Sequence, residues 1–325
     1  MPTEAVLGVA SKLGFAPTNT ASPPTDPTWM LEFLREDLKL TVNRKNFSGI
    51  RGTRSVPGYR ESVVNRSCGG SVSCQPTPTE LYNLLPYILG GTPTGGTITA
   101  GTTTFPLGEA LPAQDVFKVV GPVGAANSYR FQYRNCTVGK ATFSGQQSGA
   151  LSLAVALVGT DRDDPPTTPA TWPTGLSVDE TGSPWMFYQA ALSFTPPAGS
   201  ATAYSFREFS LVIDNAVDPN RFLNSVTRTE HPTSNRDVSL TLTRPWGNSP
   251  ALLSELRAGQ LSGSLTFTNG VYVLTLTMPY LIPPALNDPA VGGRDEVQFP
   301  LQLHARSDWQ SNARVDELSV TLKVS

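Results

Sequence analysis

Charge is scarce in this chain. Only 15% of its 325 residues are Asp, Glu, Lys or Arg, where about 25% is usual for soluble domains. The balance is nearly even, 24 Lys and Arg against 26 Asp and Glu, for a formal charge of −2. A generally basic nucleic-acid binder is disfavoured, although a local basic patch is not excluded. Long apolar runs are missing as well. The longest, Ala150 to Val158, has nine positions and includes Ser152, and a membrane-spanning helix needs roughly 18. The N-terminus has no basic region followed by an apolar stretch, so no secretory signal is expected. The glycosylation patterns at Asn46, Asn65 and Asn135 therefore carry no weight.

Residues that do chemistry are few. There are two His and three Cys, with no metal-ligand spacing among them. His231 sits in the loop pattern Glu-His-Pro-Thr. His304 alternates with Leu301 and Leu303 on the opposite face, which predicts a solvent or interface position. Cys68 and Cys74 lie on one strand-like run, about 20 Å apart at ~3.3 Å per residue, too far for a disulfide. Free, half-buried thiols made in a reducing cytoplasm are expected. No nucleophile elbow occurs. Gly139-Lys140 lacks the glycine and hydroxyl of a phosphate loop, and the glycines of 90–101 precede no helix. Asp161-Arg-Asp-Asp164 has no Gly or distal Glu to complete a calcium loop. No enzyme, cofactor or metal is expected.

What is abundant is proline and glycine, 29 and 28 residues, clustered between short apolar runs. That pattern predicts a mainly β chain. Residues 1–30 read as an extended N-terminal arm. Leu38, Leu40 and Val42 alternate as in a half-buried strand. Residues 44–60 form a basic hairpin arm or loop, and 61–75 return to strand. Thr77 or Thr79 can cap a helix with Glu80 in its first turn. Leu81, Leu84, Leu85 and Ile88 follow helical spacing, Pro86 interrupts, and Gly90-Gly91 ends it. Residues 90–113 look like an inserted loop. Strands are expected at 116–120, 129–143 and 150–158. The stretch 159–184 reads as an interdomain linker.

The second half echoes the first. Arg207–Asp214 aligns with Glu36–Asn43 at an offset of 171, which also carries Leu81 to Leu252 and Leu85 to Leu256 on a second helix at 249–257. Beyond the helix the best offset is 146, for Ala150–Gly159 onto 296–305. The difference matches the inserted loop. The expected organisation is thus an arm (1–30), copy one (31–158, with the insertion at 90–113), a linker (159–184) and copy two (185–325). Asp316-Glu317 opens a third run of the charged-pair type, either an ordinary edge strand or a strand that pairs with the next domain or subunit.

Arginine accounts for 18 of the 24 cations. Arg44, Lys45, Arg51, Arg54, Arg60 and Arg66 cluster after the first aligned strand. Arg221, Arg228, Arg236 and Arg244 follow the second. Such loops can be solvated, can meet acidic surface on a neighbouring subunit or can hold nucleic acid, although no aromatics interleave for stacking. The assembly-interface candidates are Arg44, Arg51, Arg54, Arg60, Arg221, Arg228, Asp316 and Glu317.

Several motifs, in order, carry a resemblance. They are Leu7–Gly14, Ile50-Arg-Gly-Thr-Arg54, Gly70-Ser-Val-Ser73 and Leu89-Gly90-Gly91, then Tyr280-Leu-Ile-Pro283, Gly292-Gly293 and Phe299–Asp308. With the duplication, the chain resembles the tail tube (major tail) proteins of long-tailed bacteriophages that fuse two tube domains. The resemblance implies two tandem β-sandwich or partial-barrel domains, each with one packed helix. It implies homotrimeric rings of pseudo-sixfold symmetry, stacked into a tube in the virion tail after assembly in the host cytoplasm. Tape measure and tail terminator or tip proteins would be partners, DNA would pass through the lumen, and no membrane is involved. The alternative is a β-rich decoration or receptor/carbohydrate-binding module that uses the 90–113 loop.

Overall fold

The computed structural model describes residues 10–19, 21–46, 61–97, 99–163, 166–180, 182–196, 199–246, 249–258, 261–285, 297–307 and 315–324. The first half holds β1 (Lys12–Pro17), β2 (Trp29–Met30), β3 (Arg35–Glu36), β4 (Lys39–Asn46), β5 (Glu61–Cys74), α1 (Pro78–Leu89), β6 (Thr94–Thr97), β7 (Ala100–Phe105), β8 (Gln114–Val120), β9 (Tyr129–Gln146), β10 (Ser152–Gly159) and β11 (Asp161–Arg162). The second holds β12 (Ala190–Thr195), β13 (Thr202–Tyr204), β14 (Glu208–Asp214), β15 (Asp237–Pro245), α2 (Ser249–Ala258), β16 (Leu261–Asn269), β17 (Tyr272–Ile282), β18 (Gln298–Ala305) and β19 (Ser319–Val324).

Period-two alternation builds most of these strands. In β15, Val238, Leu240 and Leu242 are buried while Ser239, Thr241 and Thr243 face away. The first helix starts at a capping box, with Glu80 N donating to Thr77 Oγ1 and Thr77 N to a Glu80 carboxylate oxygen. It ends at Gly90, whose φ of 83° needs a residue without a Cβ. Its cap contributes about 1 kcal/mol. Leu81, Leu84, Leu85, Ile88 and Leu89 are all buried, at about 2 kcal/mol each. Packing therefore decides that this helix persists despite Pro86.

All the strands link into one antiparallel sheet that does not close. Its central run is β4-β5-β10-β9-β14-β15-β18. The long β9 is shared. Its first half pairs with β8, and its second half pairs with β10 on one side and β14 on the other. The β9–β14 junction joins the two halves of the chain from Lys140↔Asp214 to Gln146↔Glu208. The halves follow one pairing order: β4-β5-β10-β9-β8-β1 in the first and β14-β15-β18-β17-β16-β12 in the second. In the second, β17 meets β18 only at Leu281 and Ile282. One apolar core runs through both halves.

Four segments differ from the sequence reading. Within the expected arm, residues 12–17 form β1, which pairs with β8 and β2 and buries Leu13 and Phe15. The expected linker packs on the first half through β11, a Thr167–Arg130 bridge and fully buried Ala170. The inserted stretch folds into the β6–β7 hairpin. The C-terminal β19 is not an edge strand, because β17 flanks it on one side and β7 on the other. The three thiols are fully rather than half buried. Desolvation, with Glu80 nearby, pushes the Cys74 thiol up. The Cys136 thiol rises through its hydrogen bond with Cys68 and through burial. The Cys74 and Cys136 thiols therefore stay protonated.

Candidate assembly interface

The sheet has an open edge at β4. Among the described residues β4 pairs only with β5, and from Thr41 to Asn46 it is exposed. Val42 and Val64 are 40% and 46% exposed, although both are β-branched strand residues. A two-stranded ribbon with both faces in water is marginal by itself, so this hairpin is suited to meeting something. Of the predicted cations, Arg44 lies on this edge. Arg51, Arg54 and Arg60 lie outside the described residues.

The equivalent stretch of the second half is seated. Residues 215–236 leave β14 and run back over the first half. Arg66 N donates to Val226 O at 2.6 Å, and Arg66 bridges Thr227. Arg228 Nη1 donates to Cys68 O at 2.8 Å and Gly159 O at 2.7 Å, where the last residue of β10 faces the middle of β5. Burial holds the Arg228 guanidinium below its ordinary value. Gly159 leaves the space into which Cys68 and Cys136 project their sulfurs, and a Cβ there would overlap both. His231 shares a 3.1 Å hydrogen bond with Thr137. Burial first, then the positive Arg228, lowers its pKa.

A second anchor lies at the root of this arm. Asn215 is buried and donates to Ile88 O and Val138 O, both at 3.0 Å. Arg236 donates to Asn215 Oδ1 at 2.8 Å and to Gly108 O at 2.7 Å, and it faces Glu317 at 3.8 Å. Sequence reasoning missed Asn215, since an Asn after a strand looks like any turn residue.

The remaining candidates divide between surface and interior. Arg221 is exposed and pairs with Glu230 inside its own arm. Arg228 and Glu317 make the contacts above within the chain. Asp316 is partly exposed, just before β19. Arg244 is buried and stacks over Tyr204 at 4.7 Å. Asp237, at the start of β15, binds Arg306 at 3.0 Å and His304 at 3.1 Å. Partial burial works against its ionisation, but those two partners outweigh it and hold the carboxyl below its usual range.

Among the described residues no group of His, Cys, Asp or Glu is arranged to hold a metal ion, and no helix is long and apolar enough to cross a membrane. What the geometry defines is a β-protein whose notable surfaces are an open sheet edge and a basic arm. The chain matches the family model for phage tail tube proteins over residues 4–311, and it belongs to that family. A search of the curated proteins finds no match.

Proposed function

We propose that the chain is the structural subunit of a phage tail tube, polymerising head to tail into stacked rings that conduct DNA during ejection. The observation that carries this is the sheet. It runs through both halves in one repeated pairing order and leaves the β4 edge unpaired among the described residues. Such an edge is a hazard to a lone soluble protein. Within the chain the corresponding strand, β14, is already paired to β9. A heterologous contact of that kind between chains closes a ring when the rotation closes.

The repeated order and the 171-residue offset support a duplication, with each half serving as one ring unit. Three chains then make a ring of pseudo-sixfold symmetry. By family likeness the tube meets a tape measure protein inside and terminator or tip proteins at its ends, within a virion tail assembled in the host cytoplasm. The sheet face turned from the core carries Ser71, Ser144, Ser152, Ser210, Thr241 and Thr243. Small hydroxyls with little charge suit a wall that DNA must pass without binding. The 90–113 stretch is paired to β19, which leaves less of it free for the ligand-binding alternative.

Negative-stain electron microscopy of the purified chain over rising concentration tests the reading. Rings or tubes with threefold or pseudo-sixfold outlines are expected. A chain that stays monomeric at high concentration, with other tail components added, overturns it.

A further inference from the structure

Arg244 is a buried cation without an anion. It stands near the end of β15 on the core side, in line with Val238, Leu240 and Leu242, and only 4% of its surface is open. The guanidinium lies over the Tyr204 ring at 4.7 Å. Its Nε and Nη1 are enclosed without a hydrogen-bond partner, and among the described residues no carboxylate makes an ion pair with it. Burying an ion without its counter-ion is strongly unfavourable. The first half shows that the fold does not need the charge. Cys74 faces Leu153 where β5 meets β10, and Arg244 faces Phe299 where β15 meets β18. Leu153 and Phe299 correspond under the offset of 146, so Cys74 is the counterpart of Arg244. There a small, protonated thiol fills the position.

Arg244 also lies at one end of the central run of strands, on β15 beside β18. The other end is β4, with the short β3 next to it on β5. Head-to-tail neighbours bring these two ends together. The level of Cys74 along β5 is the level of Arg244 in the second half. At that level the β3 end carries Leu34, whose N donates to Ser73 O at 2.8 Å and whose side chain is 65% exposed. Glu32, two residues earlier, is exposed as well. Its main chain is fixed, because Glu32 N donates to a Glu80 carboxylate oxygen at 2.6 Å. Among the described residues its own carboxylate has no hydrogen bond or ion pair. One end of the sheet thus holds a cation without an anion, and the other holds an anion without a cation at the same level.

We propose that Arg244 is a binding residue between chains and takes the Glu32 carboxylate of a second copy. The pair rests on the tube reading, since it needs head-to-tail neighbours. A guanidinium whose face is already held by Tyr204 keeps its edge N–H groups for the two oxygens of a carboxylate. Leu34 enters the contact beside Glu32 and helps to exclude water from the pair. The unfavourable burial of Arg244 then falls on the free chain and is relieved in the ring.

The test is a double-mutant cycle read on assembly and on the monomer. Arg244→Met keeps an apolar stem against Tyr204 and removes the charge, and Glu32→Gln removes the opposite one. Each should raise the critical concentration for assembly about tenfold, equivalent to about 1.4 kcal/mol. The double variant should raise it no further than either single one, because both remove the same pair. Unassembled Arg244→Met should melt a few degrees higher than wild type, since an unpaired buried ion is gone. Unassembled Glu32→Gln should melt where wild type does. If Arg244→Met does not fold, Arg244→Leu replaces it in the cycle. Effects on assembly that simply add overturn the pair and leave the tube reading standing. So does an Arg244 variant that is less stable as a monomer yet assembles like wild type. A wild-type chain that never assembles overturns both.

Discussion

The stretches 215–236 and 44–65 follow aligned strands and both carry arginine, yet the first is held by its own chain while the described ends of the second, 44–46 and 61–65, are largely exposed. Arg228 reaches three backbone carbonyls, those of Cys68, Gly159 and Pro219, and stacks near Phe222. Arg44 makes no comparable contact and lies on an open edge. The difference lies in what each stretch finds beside it. For 215–236 the neighbour is the first half. The described ends of the other stretch, 44–46 and 61–65, pair only with each other across the β4–β5 ribbon. A cation in such an arm stabilises the fold where the neighbour is built in. On the tube reading proposed above, an exposed cation on the β4 edge would act on assembly instead.

The largest effect that distinguishes the two is at Arg228. Replacing it with Ala removes three charge-assisted hydrogen bonds and leaves the Pro219, Cys68 and Gly159 carbonyls without that donor. A loss of about 3 kcal/mol in unfolding free energy is expected, read as a lower urea midpoint at unchanged slope. A midpoint equal to wild type would erase the contrast, because the docked arm would then be no more attached than the free one.

Much of this architecture was legible beforehand. Strands such as β14 and β15 bury one face only, so their alternation survives in the sequence. The first helix showed a capping threonine, Thr77 or Thr79, with Glu80 in its first turn, its apolar stripe and its terminal glycine. What could not be read was set by distant neighbours. β1 (Lys-Leu-Gly-Phe-Ala-Pro) is buried almost throughout, so it shows no polar alternation. The β6–β7 hairpin is Gly- and Thr-rich and owes its place to β19, more than 200 positions later in the chain. Arg228 was legible as a basic loop residue, but its acceptors are main-chain oxygens, which no side-chain pattern reveals. Glu317 was a candidate for contact between subunits, and its observed partner is Arg236 of its own chain.

A smaller effect belongs to His231. Its folded-state pKa lies below the ordinary value, from burial and from Arg228, so the folded chain binds fewer protons than the unfolded one. The docked arm's contribution is then present above the ordinary histidine value of about 6.5. It is lost as the pH falls from there through the lower folded value. Stability should decline over that window in wild type and decline less in His231→Gln. Hydrogen exchange would place the acid-induced opening in 215–236. Equal pH slopes in the two proteins would mean that the ring does not report on the dock.

The smallest expected effect is the sharpest counterpart to the first. Arg44→Ala and Lys45→Ala remove exposed cations from the open β4 edge. Exposed substitutions of this sort change stability by less than about 0.5 kcal/mol, so the monomer's urea midpoint should not move. On the proposed tube reading the same pair should weaken assembly, because the open β4 edge would then meet another chain. A monomer destabilised as much as by Arg228→Ala would show that the 44–65 arm is held within its own chain after all, and the asymmetry between the two arms would disappear.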